Sequence, residues 1–324
     1  MGTCWAGGLA LAPDRPTVSV CVTTYQHAAY IRECLESVIA QTFPGTLEVL
    51  VGDDVSVDGT REVVEEIARG DSRVRAFLHS SNLGPSANLH FLVARARGDF
   101  IAHLDGDDFW LPGKLAAQLR VLAGDAGVAA VYCNAQVVDD TGRRLGDFNR
   151  RVPARLGINA LLRKGNFLNH SSLLYRATSR DVVLGMEGAF IDYRLHFRLL
   201  RHGALAYVDE DLVGHRWRTG GSMIRTMPNA VCEGHLDAFR EAVGGGANPA
   251  DLRAAIGRFW GKVLVHALIA GRWAGVGTWA RRLTSDPLLK YSRFQLLAAS
   301  LLALPRAIAS WHRRRQGAET VFFP

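Results

Sequence analysis

The stretch Phe100-Ile101-Ala102-His103-Leu104-Asp105-Gly106-Asp107-Asp108-Phe109-Trp110 ends a short apolar run with three carboxylates within four residues. Because side chains alternate along an extended chain, Asp105 and Asp107 are predicted to project to one side, and Gly106 lets the backbone bend between them. Carboxylates this close repel each other unless a cation or a proton lies between them. Oxygen-only ligands favour Mg²⁺ or Mn²⁺ over zinc. The alternative is a solvated acidic turn that ends a strand.

Patterns on both sides of this stretch predict alternating strands and helices. Strands are predicted at residues 18–24, 47–52, 74–78, 99–104 and 128–138, and helices at 30–41, 60–68, 86–96 and 114–123. Ser86 is predicted to cap the third of these helices. Such alternation with short connections predicts an α/β fold with a mostly parallel sheet covered by helices on both faces.

Polar side chains follow three of these predicted strands at their carboxyl ends. They are Thr23-Thr24-Tyr25, Asp53-Asp54 and the acidic cluster Asp105 to Asp108. Ligands on parallel sheets bind beyond the carboxyl ends of the strands, so these residues together predict a binding site. Asp and Thr also occur in ordinary turns that stop strands, which is the alternative for each group alone.

The second half of the chain adds fewer signals. Residues 173–176 and 205–208 are predicted strands, and Asp192 to His202 is a predicted helix. Asp192 lies near the start of that helix, where the helix dipole favours an ionised carboxylate. Residues 215–222, His-Arg-Trp-Arg-Thr-Gly-Gly-Ser, are expected to form a mobile loop.

The C-terminal part of the chain is predicted to be helical and separate. Three glycines at 244–246 mark a break, so we expect a domain at 17–243 and a helical extension at 248–315. Within it, 290–315 combines apolar residues with the basic run His312-Arg313-Arg314-Arg315. This pattern fits a helix that lies on an anionic membrane surface. The alternative is a helical cap packed on the domain with a solvated tail.

Composition limits the partners and the compartment. The 324 residues carry a net charge of +7, which suits an anionic ligand or an anionic membrane face. No long basic block precedes the C-terminus, so we expect no nucleic-acid partner. Five scattered cysteines without a C-x-x-C pair favour a reducing compartment. With no signal-peptide pattern in residues 1–16, a cytoplasmic location is predicted.

Several of these motifs, in this order and spacing, resemble the family 2 glycosyltransferases over residues 17–222. They are Val18–Tyr25, Glu48–Thr60 with the Asp-Asp-x-Ser-x-Asp-Gly-Thr motif at 53–60, Asn82-Leu83-Gly84, and Ala96–Asp108, which ends in Leu-Asp-Gly-Asp-Asp. The resemblance implies a GT-A fold, a nucleotide-diphosphate sugar donor and a divalent cation, Mn²⁺ or Mg²⁺.

The resemblance also implies roles for the matching positions. Thr23 and Tyr25 would line the nucleotide pocket, with Tyr25 stacking on the base. Asp54 would accept a hydrogen bond from the base, and Asp53 would support Asp54 or contact the ribose. The segment from Asn82 to Asn88 would flank the nucleotide or the sugar.

The remaining implied roles concern the metal, the diphosphate and the chemistry. Asp105 and Asp107 match the D-x-D element that holds the ribose and the metal, and Asp192 matches the position of the catalytic base. The family often has Tyr-Arg-x-His where this chain has His215-Arg216-Trp217-Arg218. Arg218 therefore occupies the usual histidine position, and His215, Arg216 and Arg218 all remain candidates for the diphosphate or metal contact.

The function predicted from the resemblance is inverting, metal-dependent sugar transfer in the synthesis of a surface or extracellular polysaccharide. The acceptor would be a saccharide or a lipid-linked sugar at the inner face of the membrane. A sugar-phosphate nucleotidyltransferase is a weaker alternative, because residues 25–28 do not form a Gly-rich phosphate loop. The other alternative is a non-catalytic sugar-nucleotide-binding or assembly module. A Rossmann dehydrogenase is disfavoured because no G-x-G-x-x-G follows the first strand.

Overall fold

The structure is a computed structural model that describes residues 16–187, 191–217, 228–270, 273–301, 305 and 321–323. The first four strands are β1 (Val18–Thr24), β2 (Leu47–Asp53), β3 (Val74–Leu78) and β4 (Phe100–Asp105). They form a parallel sheet in the order β3-β2-β1-β4. Strands β1 and β2 are buried almost throughout, as expected for strands covered on both faces.

The second half of the sheet is mixed, whereas a mostly parallel sheet was predicted. Its strands are β5 (Phe109–Trp110), β6 (Val128–Val138), β7 (Arg144–Asn149), β8 (Arg155–Leu156), β9 (Leu174–Arg176), β10 (Ala204–Arg216) and β11 (Val321–Phe323). Strand β9 runs antiparallel to both β4 and β6, and β10 runs parallel to β6. Strand β7 is antiparallel to β6 and pairs with β11, while β5 and β8 pair antiparallel with β10.

Helices cover both faces of the sheet and bury apolar stripes against it. In the first of them, Ile31, Cys34, Leu35 and Val38 are fully buried. The helices are α1 (Ile31–Ile39), α2 (Thr60–Gly70), α3 (Pro85–Arg95), α4 (Lys114–Gly124), α5 (Ile158–Lys164), α6 (Arg180–Leu184), α7 (Asp192–Leu199), α8 (Pro228–Gly244), α9 (Pro249–Ala270) and α10 (Ala274–Ser285). Residues 293–301 are also helical.

Two local predictions are wrong. Ser86 does not cap α3, because the helix begins one residue earlier at Pro85, after Gly84. Proline suits the first helical position, where its missing N–H would have no partner in any case. His215 and Arg216 do not belong to a loop, because they end the long strand β10 beside β6. Arg218 and residues 219–222 lie outside the described residues.

The C-terminal helices share a core with one face of the sheet. Phe259 and Trp260 of α9 belong to the same buried cluster as Ile101 of β4 and Tyr132 of β6. The Trp260 indole N–H also donates to Ser300 Oγ at 2.8 Å, which ties the helical residues 293–301 to α9. Residues up to 301 therefore include helices packed on the domain, which agrees with the helical cap given above as the alternative to a membrane-surface helix.

Candidate functional site

The three polar stretches expected to meet do lie at one edge of the sheet. Thr24 is paired with Asp53 across β1 and β2, and Thr23 is paired with Asp105 across β1 and β4. The chain continues this pairing past the strands, since the Asp54 N–H donates to Thr24 O at 3.0 Å and the Gly106 N–H donates to Thr23 O at 2.9 Å. The nucleotide-pocket candidates and the acidic cluster are therefore neighbours.

The loop between β1 and α1 carries Tyr25, whose side chain is 49% exposed. Three polar side chains of the 53–60 motif accept hydrogen bonds from its backbone. The acceptors are Ser56 for the Gln26 N–H at 2.9 Å, Asp58 for the Ala28 N–H at 3.0 Å and Thr60 for the His27 N–H at 2.9 Å. The motif therefore holds the loop that presents Tyr25, a role that inspection of the sequence did not identify.

Asp54 is buried and joins β2 to the loop before α3. Its two carboxylate oxygens accept the Leu83 N–H at 2.7 Å and the Gly84 N–H at 2.9 Å, and its carbonyl oxygen accepts from Asn82 Nδ2 at 3.0 Å. Asp53 is fully buried, and its Oδ2 accepts the Ser56 N–H at 3.1 Å. Asp53 therefore shapes the turn, and Asp54 places the loop at 82–84 beside it.

Asn88 does not fit the role expected of it beside the nucleotide. Its side chain is 1% exposed, its Nδ2 donates to Gly52 O at 2.8 Å, and its Oδ1 lies 3.0 Å from His79 Nε2. A buried amide with these partners ties α3 to β2. Asn82, by contrast, is exposed and next to Asp54.

The acidic cluster is built differently from the alternating strand that the sequence suggested. Strand β4 ends at Asp105, and the next residues turn, with the Asp108 N–H donating to Asp105 O at 3.0 Å. The Asp107 carboxylate is 22% exposed and lies 3.8 Å from His27 Nε2. Strand alternation therefore cannot place Asp107, whose position is set by the turn.

Asp105 ends β4, and its N–H donates to the Ser171 hydroxyl at 3.2 Å. The pKa of its carboxyl is raised to about 7, mainly by burial. The positive charge of His170 lowers this pKa, and the negative charges of Asp108, Asp107 and Asp192 contribute to raising it. The pKa of Asp105 therefore responds to charges of both the acidic turn and α7.

Asp108 anchors the end of β10 to the acidic turn. Its Oδ2 accepts the Ser171 hydroxyl at 2.6 Å and lies 3.1 Å from His215 Nδ1, and its Oδ1 accepts the Arg216 N–H at 2.8 Å. Burial lowers the pKa of His215, but Asp108 and its neighbours raise it more, so the net shift is upward. With Nδ1 held by Asp108, Nε2 is the nitrogen through which His215 could bind a ligand.

Arg216 was expected to contact the diphosphate, and its placement does not fit that role. Its side chain is 3% exposed and forms an ion pair with Glu33 of α1. Its Nε donates to Asp107 O at 2.8 Å, and its guanidinium lies over the Tyr30 ring, 4.6 Å from the centroid. These contacts make Arg216 a structural brace between β10, α1 and the acidic turn.

Asp192 is the first residue of α7, as the sequence predicted, and it faces a histidine that the sequence analysis did not select. His170 Nδ1 lies 3.2 Å from Asp192 Oδ1. Burial raises the pKa of Asp192, but the nearby charge of His170 lowers it more, so the net shift is downward. Burial lowers the pKa of His170, yet the negative charge of Asp192 outweighs it, with smaller contributions from Asp105 and Asp108, and the pKa is raised to about 9. The two groups therefore form an ion pair at neutral pH.

The protein groups present fit a cation that is bound mainly through a substrate. In the part of the chain that the structure describes, no three His, Cys, Asp or Glu side chains are arranged to hold a metal ion. Mg²⁺ typically takes one or two carboxylates and completes its shell with water and substrate phosphates. The partly exposed Asp107 beside the repelling carboxyl of Asp105 suits this arrangement.

Gly106 leaves no room for a side chain, and this gives a direct prediction. A Cβ atom at Gly106 would lie 2.7 Å from Thr24 Oγ1 and 2.9 Å from His27 Nδ1. We expect Gly106→Ala to lower the free energy of unfolding by about 1–3 kcal/mol because the loop before α1 must move. Urea denaturation measures this change. Gly70→Ala is the control, since its Cβ would meet nothing within 4 Å, and equal stability of the two variants would contradict the prediction.

A family model described as Glycosyl transferase family 2 matches residues 19–183 of this chain. The chain belongs to glycosyl transferase family 2. The matched residues include the sheet edge from β1 to β4 and His170, but not Asp192 or β10.

Relatives and solved structures agree with this family assignment. The chain is 30% identical over 207 residues to an uncharacterized protein of Mycobacterium tuberculosis, covering 63% of this chain and 60% of that protein. It is 26% identical over 199 residues to the chondroitin synthase of Escherichia coli, covering 60% of this chain and 28% of that one. The chain thus spans about three fifths of the M. tuberculosis relative and less of the synthase.

Two solved structures share the fold of this family 2 member. TarS 1-349 of S. aureus, in complex with UDP-GlcNAc, superimposes with a TM-score of 0.58 at 17% identity, covering 91% of this chain and 92% of that one. The mannosyltransferase PcManGT of Pyrobaculum calidifontis, in complex with GDP-Man and Mn²⁺, gives 0.52 at 21% identity, covering 90% and 88%. The predicted α/β fold of GT-A type with a helical C-terminal region is confirmed.

Proposed function

We propose that this chain is a glycosyltransferase that moves a sugar from a nucleotide-diphosphate donor to a hydroxyl acceptor with inversion at the anomeric carbon. One observation carries the proposal: the turn His170–Ser172 contacts acidic residues of both the sheet edge and α7. Its Ser171 hydroxyl donates to Asp108 and accepts the Asp105 N–H, and His170 Nδ1 lies 3.2 Å from Asp192 Oδ1. A module that only binds a nucleotide would not require a carboxylate from α7 at the same place.

The donor would lie along the carboxyl edge of β1, β2 and β4. The exposed ring of Tyr25 offers a stacking surface for the base. Asp54 is buried and both its carboxylate oxygens accept backbone N–H groups, so it would contribute by holding Leu83 and Gly84 beside the base. Thr23 and Asp105, paired across β1 and β4, would contact the ribose. TarS with UDP-GlcNAc and PcManGT with GDP-Man, which share the fold, support a sugar-nucleotide ligand.

The diphosphate end of the donor would reach the acidic turn. Mn²⁺ or Mg²⁺ bound by Asp107, with Asp105 nearby and Nε2 of His215 as a further candidate ligand, would act as a Lewis acid on the leaving diphosphate. The presence of Mn²⁺ in the PcManGT complex supports this choice. Arg218, at the position where the family often has a histidine, remains a proposed diphosphate contact.

Asp192 would supply the proton acceptor. A sugar hydroxyl is a poor nucleophile at neutral pH and needs a base as it attacks the anomeric carbon. Asp192 is ionised there because its pKa lies below the usual range, and it begins a helix whose dipole favours the charge. One base and one displacement produce inversion, whereas glycoside hydrolases use two flanking carboxylates.

A thermal-shift screen tests the proposed donor class. The ligands are the common nucleoside diphosphates and their sugars, each with and without Mn²⁺. Because a ligand at 100 times its Kd stabilises by about 2.7 kcal/mol, the true donor should raise Tm by several degrees only with Mn²⁺. Nucleoside monophosphates and free sugar phosphates are the controls. Stabilisation by a sugar phosphate with a nucleoside triphosphate, and not by any sugar nucleotide, would favour a nucleotidyltransferase instead.

We also propose that the chain works at an anionic membrane surface in polysaccharide synthesis, on a saccharide or lipid-linked acceptor at the cytoplasmic face. Helical residues 293–301 pack Leu296 against the core but expose Phe294, Leu297 and Leu301, at 86%, 61% and 71%. From residue 287 to 315 the sequence has six Lys or Arg residues and no Asp or Glu. Apolar and basic side chains together suit anionic lipid. No helix in the described part of the chain is long and apolar enough to cross a membrane.

Vesicle sedimentation tests the proposed surface. The wild-type chain should pellet with vesicles of phosphatidylcholine and phosphatidylglycerol and much less with phosphatidylcholine alone, since the basic residues need anionic lipid. Replacing Leu297 and Leu301 by Ser should reduce the bound fraction several-fold. Val57→Ser, which removes an 83% exposed side chain elsewhere, should leave it unchanged. Equal binding of the double variant and the wild type would rule out this membrane surface. Light scattering that shows the chain to self-associate through these residues would also rule it out.

A further inference from the structure

We propose that His170 is a positioning residue that holds the Asp192 carboxylate in the orientation needed to accept the proton of the acceptor. This inference rests on the proposed function, because it assigns His170 a role only through Asp192. The contact that carries it joins His170 Nδ1 to Asp192 Oδ1 at 3.2 Å. This ion pair through Oδ1 would leave Oδ2 to face the acceptor hydroxyl.

The surroundings of His170 restrict its movement. It begins the 3₁₀ turn His170–Ser172, which lies between β4 and β6 and whose Ser171 hydroxyl donates to Asp108. Its ring also lies 4.9 Å from the ring of His103, a fully buried residue of β4. His103 is in turn 3.2 Å from the Tyr175 hydroxyl through Nε2. The imidazole that contacts Asp192 is therefore fixed by the central sheet.

A second histidine, His196, lies near Asp192 on α7 and contacts the sheet. It follows Asp192 by one helical turn, and its Nδ1 is 2.7 Å from the Tyr132 hydroxyl of β6. Burial lowers the pKa of His196 to about 3, so that ring is neutral and does not compete with His170 for the carboxylate charge. The charged groups that act on His170 are Asp192, Asp105 and Asp108. Of these, Asp192 exerts the largest effect, and its Oδ1 lies 3.2 Å from His170 Nδ1.

Asp192 needs such support because it is the first residue of its helix. The Asp192 side chain is 34% exposed, and the N-cap residue Ile191 makes no side-chain hydrogen bond to the start of the helix. A base that rotates away from the reacting hydroxyl by about 1 Å can cost 10²-fold in rate. Because the proposed role of His170 acts through Asp192 and not through the donor, its loss should affect turnover more than donor binding.

The test compares His170→Leu with His170→Asn, whose amide nitrogen can take the place of Nδ1. The assay measures release of nucleoside diphosphate from the sugar nucleotide selected by the screen, with Mn²⁺ present. We expect His170→Leu to lower kcat by 10- to 100-fold with the donor KM within twofold of wild type, and His170→Asn to recover most of kcat. His235→Asn is the control, because His235 stacks on Phe259 and contacts Val231 O instead of Asp192.

The same changes in an Asp192→Asn background separate the outcomes. There, His170→Leu should change the residual rate by less than twofold, because it acts through Asp192. Unchanged kcat in His170→Leu, no recovery in His170→Asn, or independent effects of the two positions would overturn the proposal. If the wild type releases no nucleoside diphosphate, the proposed function fails. The contact is then judged by urea unfolding of the wild type, His170→Leu, Asp192→Asn and the double variant, where additive effects of the two changes would overturn it.

Discussion

Asp192→Asn should abolish sugar transfer while leaving donor binding nearly intact. General bases typically contribute 10²–10⁴-fold to a rate, so we expect kcat to fall by at least 10²-fold. The amide cannot take a proton from the acceptor, yet it keeps the size of the side chain and can still pair with His170. Initial rates of transfer, together with calorimetric titration of the donor, measure the two effects separately.

Asp181→Asn is the matched control for this prediction. Asp181 also lies in the first turn of a helix, α6, but it is exposed and outside the site. Any general effect of removing a carboxylate from a helix start, worth under about 1 kcal/mol, should appear equally in both variants. If Asp192→Asn retained the wild-type rate of transfer, Asp192 would not be the base.

Asp107→Asn should remove the effect of Mn²⁺ on nucleoside diphosphate binding. The wild type is expected to bind the diphosphate more tightly with Mn²⁺, because the cation joins the Asp107 carboxylate to the phosphate oxygens. We expect the variant to lose at least tenfold in affinity with Mn²⁺ present and to change little without it. Calorimetric titrations in the presence of Mn²⁺ and of a chelator give the four affinities.

Asp71→Asn provides the comparison for the change in charge, because Asp71 pairs with Arg73 near the surface, away from the sheet edge. It should behave as the wild type in both titrations. An Asp107→Asn variant with the wild-type response to Mn²⁺ would show that Asp107 does not bind the metal. Asp105 would then be the remaining carboxylate candidate.

The sheet edge could be predicted because its strands carry strong local signals. Strands β1 and β3 have the predicted bounds, and β2 and β4 differ by one residue at the ends. Each is a short run of apolar residues followed by a turn, so the local sequence alone was enough to assign it as a strand. Adjacent parallel strands then necessarily bring Thr24 and Asp53 together at the same edge.

The other side of the site depends on contacts that no local pattern reveals. His215 and Arg216 are polar and charged, which is typical of an exposed loop, yet they end strand β10. Asp108, more than 100 residues earlier, accepts the Arg216 N–H and holds this end of the strand. Arg216 is then enclosed by α1 through Glu33 and Tyr30. The sequence does not distinguish an arginine that contacts the diphosphate from a buried arginine that joins two elements of the fold.

His170 shows the same limit for the chemistry. A histidine between Asn169 and Ser171 resembles an ordinary polar turn, and only the docking of α7 places it 3.2 Å from Asp192. Similarly, the 53–60 motif was identified by its resemblance, but its hydrogen bonds to the β1–α1 loop required coordinates. Pairings between distant segments, and not the residue types, determine these roles.

A crystal structure of the chain with the selected sugar nucleotide and Mn²⁺ would show whether donor, metal and Asp192 meet at one site. We expect the nucleotide base beside Tyr25 and the loop that Asp54 holds, and a cation bound to the Asp107 carboxylate, at about 2.1 Å, and to the diphosphate. The anomeric carbon should face Asp192 across a space large enough for an acceptor hydroxyl. A nucleotide bound away from the edge of β1, β2 and β4, or a donor sugar with no path to Asp192, would contradict this expectation.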